Sequence, residues 1–114
     1  MIQRFGSNER MSEAVVHNGT VYLAGQVAGD TAQDAQGQTR QVLESIDRLL
    51  AEAGSDRTRI LRAEIFLADI GHFADMNKEW DVWVPAGATP ARATLQAQLY
   101  HPDVLVEIVV TAAL

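Results

Sequence analysis

The amino-acid sequence predicts an α+β domain with the element order β-β-α-β-α-β-β, a mixed sheet carrying two helices on one face. Three observations carry that expectation. An Asn18-Gly19 pair sits between two runs rich in β-branched and aromatic residues. Two stretches space their apolar residues three and four apart, and the remaining apolar stretches alternate with period two. The 114 residues suffice for one hydrophobic core, so residues 1–114 are read as a single domain.

Ala14-Val15-Val16-His17 and Thr20-Val21-Tyr22-Leu23-Ala24 form the first hairpin, because Asn-Gly tolerates the left-handed backbone of a two-residue turn. A helix follows, with Ala35, Thr39, Val42, Ile46, Leu49 or Leu50 and Ala53 along one stripe and Gly54 just past its end. Gly37 weakens the first turns, which places the firm part from about Gln38. Between Ile60 and Ile70, Leu61, Ala63, Ile65 and Leu67 share one parity and Arg62, Glu64 and Phe66 the other, as in a strand with one dry face.

Phe73, Met76, Asn77, Trp80 and Val84 step at helical spacing until Pro85-Ala86-Gly87 breaks the pattern. Trp80 and Trp83 fit a buried stripe of that helix better than a stacking platform. Ala93, Leu95, Ala97 and Leu99 then alternate with Thr94, Gln96, Gln98 and Tyr100, and the Val/Ile-rich run Leu105 to Thr111 supplies the last strand. Parity is expected to place Thr94, Gln96 and Gln98 with Arg62 and Glu64 on the face away from the helices. Tyr22, Phe66 and the aliphatic neighbours of Leu95 add apolar area there, a mixture suited to a subunit interface.

Composition removes whole classes of chemistry. The chain has no cysteine, so thiolate catalysis, zinc-thiolate sites, iron-sulfur clusters and disulfides are excluded together. Nine basic against fifteen acidic residues give a net charge of -6, the wrong sign for attraction to phosphate backbones, and no nucleic-acid partner is expected. The longest apolar stretch, Val104 to Leu114, is interrupted by Glu107 and is far shorter than the roughly 20 residues of a spanning helix. No membrane association is expected, and the start lacks the apolar core of a secretory signal, which leaves the cytoplasm as the expected location. His17, His72 and His101 have no metal-ligand spacing, and no phosphate-cradling glycine motif occurs, so neither metal nor nucleotide cofactor is expected. Asp69, Asp75, Glu79 and Asp81 read as the solvated face of the second helix, with acids near its positive end.

Two residues stand apart. Arg92 follows Thr89-Pro90-Ala91 at the mouth of a strand, where its planar fork suits bidentate carboxylate capture, although a surface ion pair fits the same spacing. Glu107 interrupts the most apolar run in the chain and must face water, a cation or a pocket. A solvated channel and general acid/base work fit it equally well.

Pro90-Ala91-Arg92-Ala93-Thr94-Leu95-Gln96 and Val106-Glu107-Ile108, with Ala24-Gly25-Gln26, Phe66-Leu67-Ala68-Asp69 and Phe73-Ala74-Asp75-Met76-Asn77, resemble the RidA/YjgF family of imine/enamine deaminases over nearly the whole chain. The resemblance implies a chorismate-mutase-like fold, a homotrimer around a central barrel, and clefts at the subunit interfaces. It implies hydrolysis of reactive 2-imino acids and their enamine tautomers to 2-oxo acids and ammonia, without metal or cofactor. On it, Arg92 binds the substrate carboxylate, Glu107 positions or activates water, and Thr94 meets the imine nitrogen through its main chain. Asn77 and Gly25 match positions near the cleft. Two departures remove hydroxyls: Met11 stands where typical members carry a pocket tyrosine, and Ala24 where a serine often precedes Gly-Gln. A non-catalytic trimer that binds a 2-oxo acid or amino acid through Arg92 is the competing expectation.

Overall fold

A computed structural model describes residues 1–114. The elements are β1 (Gln3–Phe5), β2 (Ala14–His17), β3 (Thr20–Leu23), β4 (Gln26–Val27), α1 (Ala35–Ala53), β5 (Ile60–Leu67), α2 (Phe73–Trp83), β6 (Ala91–Gln96) and β7 (Val106–Ala113). They form one mixed sheet in the order β1-β2-β3-β7-β5-β6, with β4 also beside β7. Only the pairing of β5 with β6 is parallel. The expected α+β order stands, lengthened by the short strands β1 and β4, which are too brief to show an alternation in the sequence.

Local chemistry explains the elements. Asn18 and Gly19 both have positive φ, 51° and 76°, as the tight β2–β3 turn requires. α1 starts at Ala35, three residues earlier than expected, because the Asp34 carboxylate accepts the Gly37 N–H at 2.8 Å and offsets the glycine's weakness. Gly54 ends it in the left-handed region, with its N–H on Ala51 O at 3.1 Å.

Both helices pack on one face of the sheet. Val42, Ile46 and Leu50 of α1 and Met76, Trp80 and Trp83 of α2 join Ile65, Leu67, Ile108 and Val110 of the central strands in one buried cluster. Each fully buried Leu or Ile there contributes about 1.5 to 3 kcal/mol relative to exposure. The buried Gln38 side chain ties the layer together: its amide donates to Gln33 O and Asp103 O, at 3.0 and 2.9 Å, and accepts from Leu105 N at 2.9 Å.

Register corrects two expectations. Leu61 is 53% exposed instead of lying on the dry face, because a register shift between Ile60 and Arg62 restarts the alternation of β5. β6 is also turned over. Its pairing sets Arg92 beside Ala63 and Thr94 beside Ile65, so Arg92, Thr94 and Gln96 face the helices, while Ala93 and Leu95 lie beside Glu64 and Phe66 on the open face. The apolar parity of β6, Ala91, Ala93 and Leu95, therefore lies on the open face, so the strand's own alternation pointed to the wrong side as inward and the register against β5 decided it. Gln98 lies beyond the end of the strand.

A second slip shapes the other side of β7. Tyr22 pairs with Thr111 and Gln26 with Ile108, so four steps on the β3–β4 side match three on β7. The extra residue falls at Ala24-Gly25, a bulge that redirects the strand.

Candidate functional site

Arg92 sits on edge strand β6, facing α2. Its Nη1 donates to Asn77 Oδ1 at 2.8 Å. Its guanidinium carbon lies 5.3 Å from the centre of the Trp80 ring and 5.7 Å from that of Phe73. Phe73, Asn77 and Trp80 are four and three residues apart, so one stripe of α2 supplies all three contacts. No carboxylate pairs with this cation; the ion pairs of the molecule involve other residues. A half-buried guanidinium stacked on aromatics and lacking a counter-ion is suited to an incoming anion.

Thr94 follows on the same strand face. Its Oγ1 is buried without a hydrogen-bond partner, which leaves the main chain as the part able to meet a ligand. Ala97 N–H bonds Leu67 O at 2.9 Å, so the main-chain polar groups of odd-numbered residues here point to β5. Strand alternation therefore turns the Thr94 N–H and C=O to the free edge of the sheet.

Glu107 lies elsewhere. It pairs across the sheet with Phe66 and Val27, on the open face, and makes no ion pair. Gly25 presses against it: a Cβ added at Gly25 would overlap Glu107 Oε2 and come within 3.0 Å of the carboxyl carbon. Glycine at the bulge thus makes room for this carboxylate. The open face around it carries Tyr22, Phe66, Leu95 and Val109 together with Arg62 and Glu64.

The structure thus brings Arg92 together with Asn77, and Glu107 with Gly25. It does not join the two groups within one chain, because they occupy opposite faces with β5 between their strands. Met11 is 45% exposed in the β1–β2 connection, where its main chain is held by Asn8, and Glu13 two residues later bonds Ala24 N at 2.9 Å. That places the Met11 segment beside the strand leading to Gly25.

The cavities of the single chain lie apart from Arg92 and Glu107. One of about 550 Å³ is lined by Ala68, Val104 and the segment 96–102. Another of about 200 Å³ lies between the helices, beside two ion pairs. Arg57 there donates to both oxygens of Asp47, at 3.1 and 2.6 Å, and Asp47 also accepts the Trp83 indole N–H at 3.0 Å. Arg40 and Gln36 donate to Glu79 and hold its carboxyl below the usual carboxylate range. Of the acids around α2, Glu79 is held in this way, Asp75 pairs with Lys78 on the surface, and Asp69 caps a turn through Gly71 N. Sequence reasoning missed the service of Phe73 and Trp80 to Arg92, although their spacing with Asn77 was visible.

The family described as Endoribonuclease L-PSP matches residues 1–114. A RutC family protein of Haemophilus ducreyi is 45% identical over 114 residues, covering 100% of this chain and 97% of its own. The RutC family protein YoaB of Escherichia coli is 46% identical over 112 residues, covering 98% and 97%. A member of the YjgF protein family from Neisseria meningitidis superposes with a TM-score of 0.97 at 49% identity, over 99% of this chain and 94% of that one. Matched along its whole length in sequence and fold, the protein belongs to the RutC/YjgF family.

Proposed function

We propose that the protein is a cofactor-independent 2-imino acid deaminase, acting as a homotrimer whose clefts lie between subunits. The observation that carries this reading is the Arg92 guanidinium, held by Asn77, Phe73 and Trp80 and left without a counter-ion. Such a group takes up the carboxylate of a small 2-imino acid through paired hydrogen bonds. The Thr94 main chain on the free edge then meets the imine nitrogen.

Glu107 completes the chemistry when it is supplied by a neighbouring copy. The carbon of a protonated imine is already electrophilic, so the reaction needs an oriented water and a proton route. Glu107 accepts a proton as water adds to the carbon, giving a carbinolamine. It returns that proton to nitrogen and takes up the hydroxyl proton as the C–N bond breaks and the C=O bond forms, releasing ammonia and the 2-oxo acid. Clearing reactive imines protects other enzymes, notably those that use pyridoxal phosphate. A net charge of -6 opposes the phosphate backbone that an endoribonuclease would have to bind. The loss of hydroxyls at Met11 and Ala24 favours one other reading, a trimer that binds a 2-oxo acid without turning over an imine.

The test is ammonia release, with semicarbazide competition, from 2-imino acids generated in situ from several amino acids. Acceleration over spontaneous hydrolysis is expected. Binding of 2-oxo acids without acceleration selects the binding trimer. Light scattering should give about 37 kDa, three copies of 12.4 kDa, and a stable monomer removes the interfacial cleft.

A further inference from the structure

We infer that Phe73, Asn77 and Trp80 are positioning residues forming a charge-neutral cradle, and that this neutrality keeps the Arg92 cation available to a carboxylate ligand. The inference rests on the anion-binding part of the proposed function and assigns Asn77 to Arg92 instead of to the substrate.

The molecule contains its own contrast. Arg57 and Arg92 are both stacked on tryptophans of α2, 5.1 Å from Trp83 and 5.3 Å from Trp80. Both donate to a side-chain oxygen of a helix. For Arg57 that oxygen belongs to the Asp47 carboxylate, which takes two of its hydrogen bonds and cancels its charge. For Arg92 it belongs to the Asn77 amide, which takes one hydrogen bond at 2.8 Å and leaves the charge intact. An amide orients the fork without competing for it, whereas a carboxylate here would act as a built-in competitor of the ligand. The aromatic rings add attraction without introducing an anion. Phe73, 42% exposed, flanks the cation where a ligand would arrive, while Trp80, 5% exposed, backs it from the core.

The decisive feature is an order of affinities. If Asn77 only anchored Arg92, aspartate would anchor it better than alanine, since a charged acceptor makes the stronger hydrogen bond. A cradle that must stay neutral predicts the reverse.

The experiment titrates 2-oxobutanoate into the full-length protein by calorimetry near neutral pH, for wild type, Asn77→Asp, Asn77→Ala and Phe73→Leu, with thermal melts of each. Asn77→Asp should weaken binding about tenfold or more, and further than Asn77→Ala does. Phe73→Leu, at a half-exposed position that puts the fold at little risk, should weaken it about two- to fivefold, the usual worth of one cation–π contact. In imine hydrolysis these losses should appear in KM, with kcat changed less. Binding by Asn77→Asp equal to wild type or tighter than by Asn77→Ala overturns the cradle, as does failure of the wild type to bind 2-oxobutanoate. If the predicted order holds while no variant and no wild type releases ammonia, the deaminase reading falls and the cradle stands.

Discussion

Charged residues of this protein fall into two kinds, and the pair Arg57–Asp47 beside the pair Arg92 and Glu107 makes the difference plain. Arg57 and Asp47 satisfy one another between α1, α2 and the turn that precedes β5, and Trp83 closes the clasp with its indole N–H. Arg92 and Glu107 face opposite sides of the sheet, and neither has a counter-ion. A charge paired inside its own chain contributes to folding. A charge held in place and left unpaired is available to something from outside, here a ligand and, on the proposed reading, a second copy of the chain.

The comparison is sharpened most by Glu107→Gln. If Glu107 handles the water, kcat should fall roughly 10² to 10⁴-fold with folding and 2-oxo acid binding retained. Equal losses of binding and turnover would make Glu107 structural, on a par with Asp47. Next comes Arg92→Ala, expected to cost about 2 to 5 kcal/mol in kcat/KM with little change in Tm, and Arg92→Lys should recover only part of it because a point charge lacks the fork. Near-normal turnover by either variant would place Arg92 among ordinary surface cations.

The paired clasp should behave the other way round. Asp47→Ala removes partners from Arg57 and the Trp83 N–H together, and should cost roughly 1 to 3 kcal/mol of unfolding free energy by denaturant melt while leaving KM unchanged. A change in KM with unaltered stability would mean that the clasp is part of the site. Smallest is the effect expected at Met11, a flexible thioether in the β1–β2 connection. Imines from leucine or methionine should be hydrolysed at least as well as the one from alanine. Met11→Tyr should shift the leucine-to-alanine ratio of kcat/KM tens-fold toward alanine, since a methylene in a pocket is worth only about 1 to 3 kcal/mol. An unchanged ratio would exclude Met11 from the cleft.

Much of the fold was legible because its causes lie close together in the chain. The Asn18-Gly19 turn, the stripe that ends at Gly54 and the buried tryptophans of α2 each depend on residues within a turn or two of one another. Arg92 and Glu107 stand out in the sequence for a related reason: each breaks a short local pattern, one just after Pro90-Ala91 and the other within an apolar run. Their surroundings were not. Which face of β6 turns inward depends on its register against β5, a segment some thirty residues earlier, and a one-residue shift in such a pairing exchanges the two faces. The same holds for the bulge at Gly25, which needs β7 as its ruler, and for Gln38, whose amide is spent on Asp103 and Leu105. Chain-local periodicity settles which residues could be buried or charged. Long-range pairing alone settled that Asn77, and no carboxylate, meets Arg92, and that Glu107 stands on the other side of the sheet, because a side chain's partners come from segments distant in sequence.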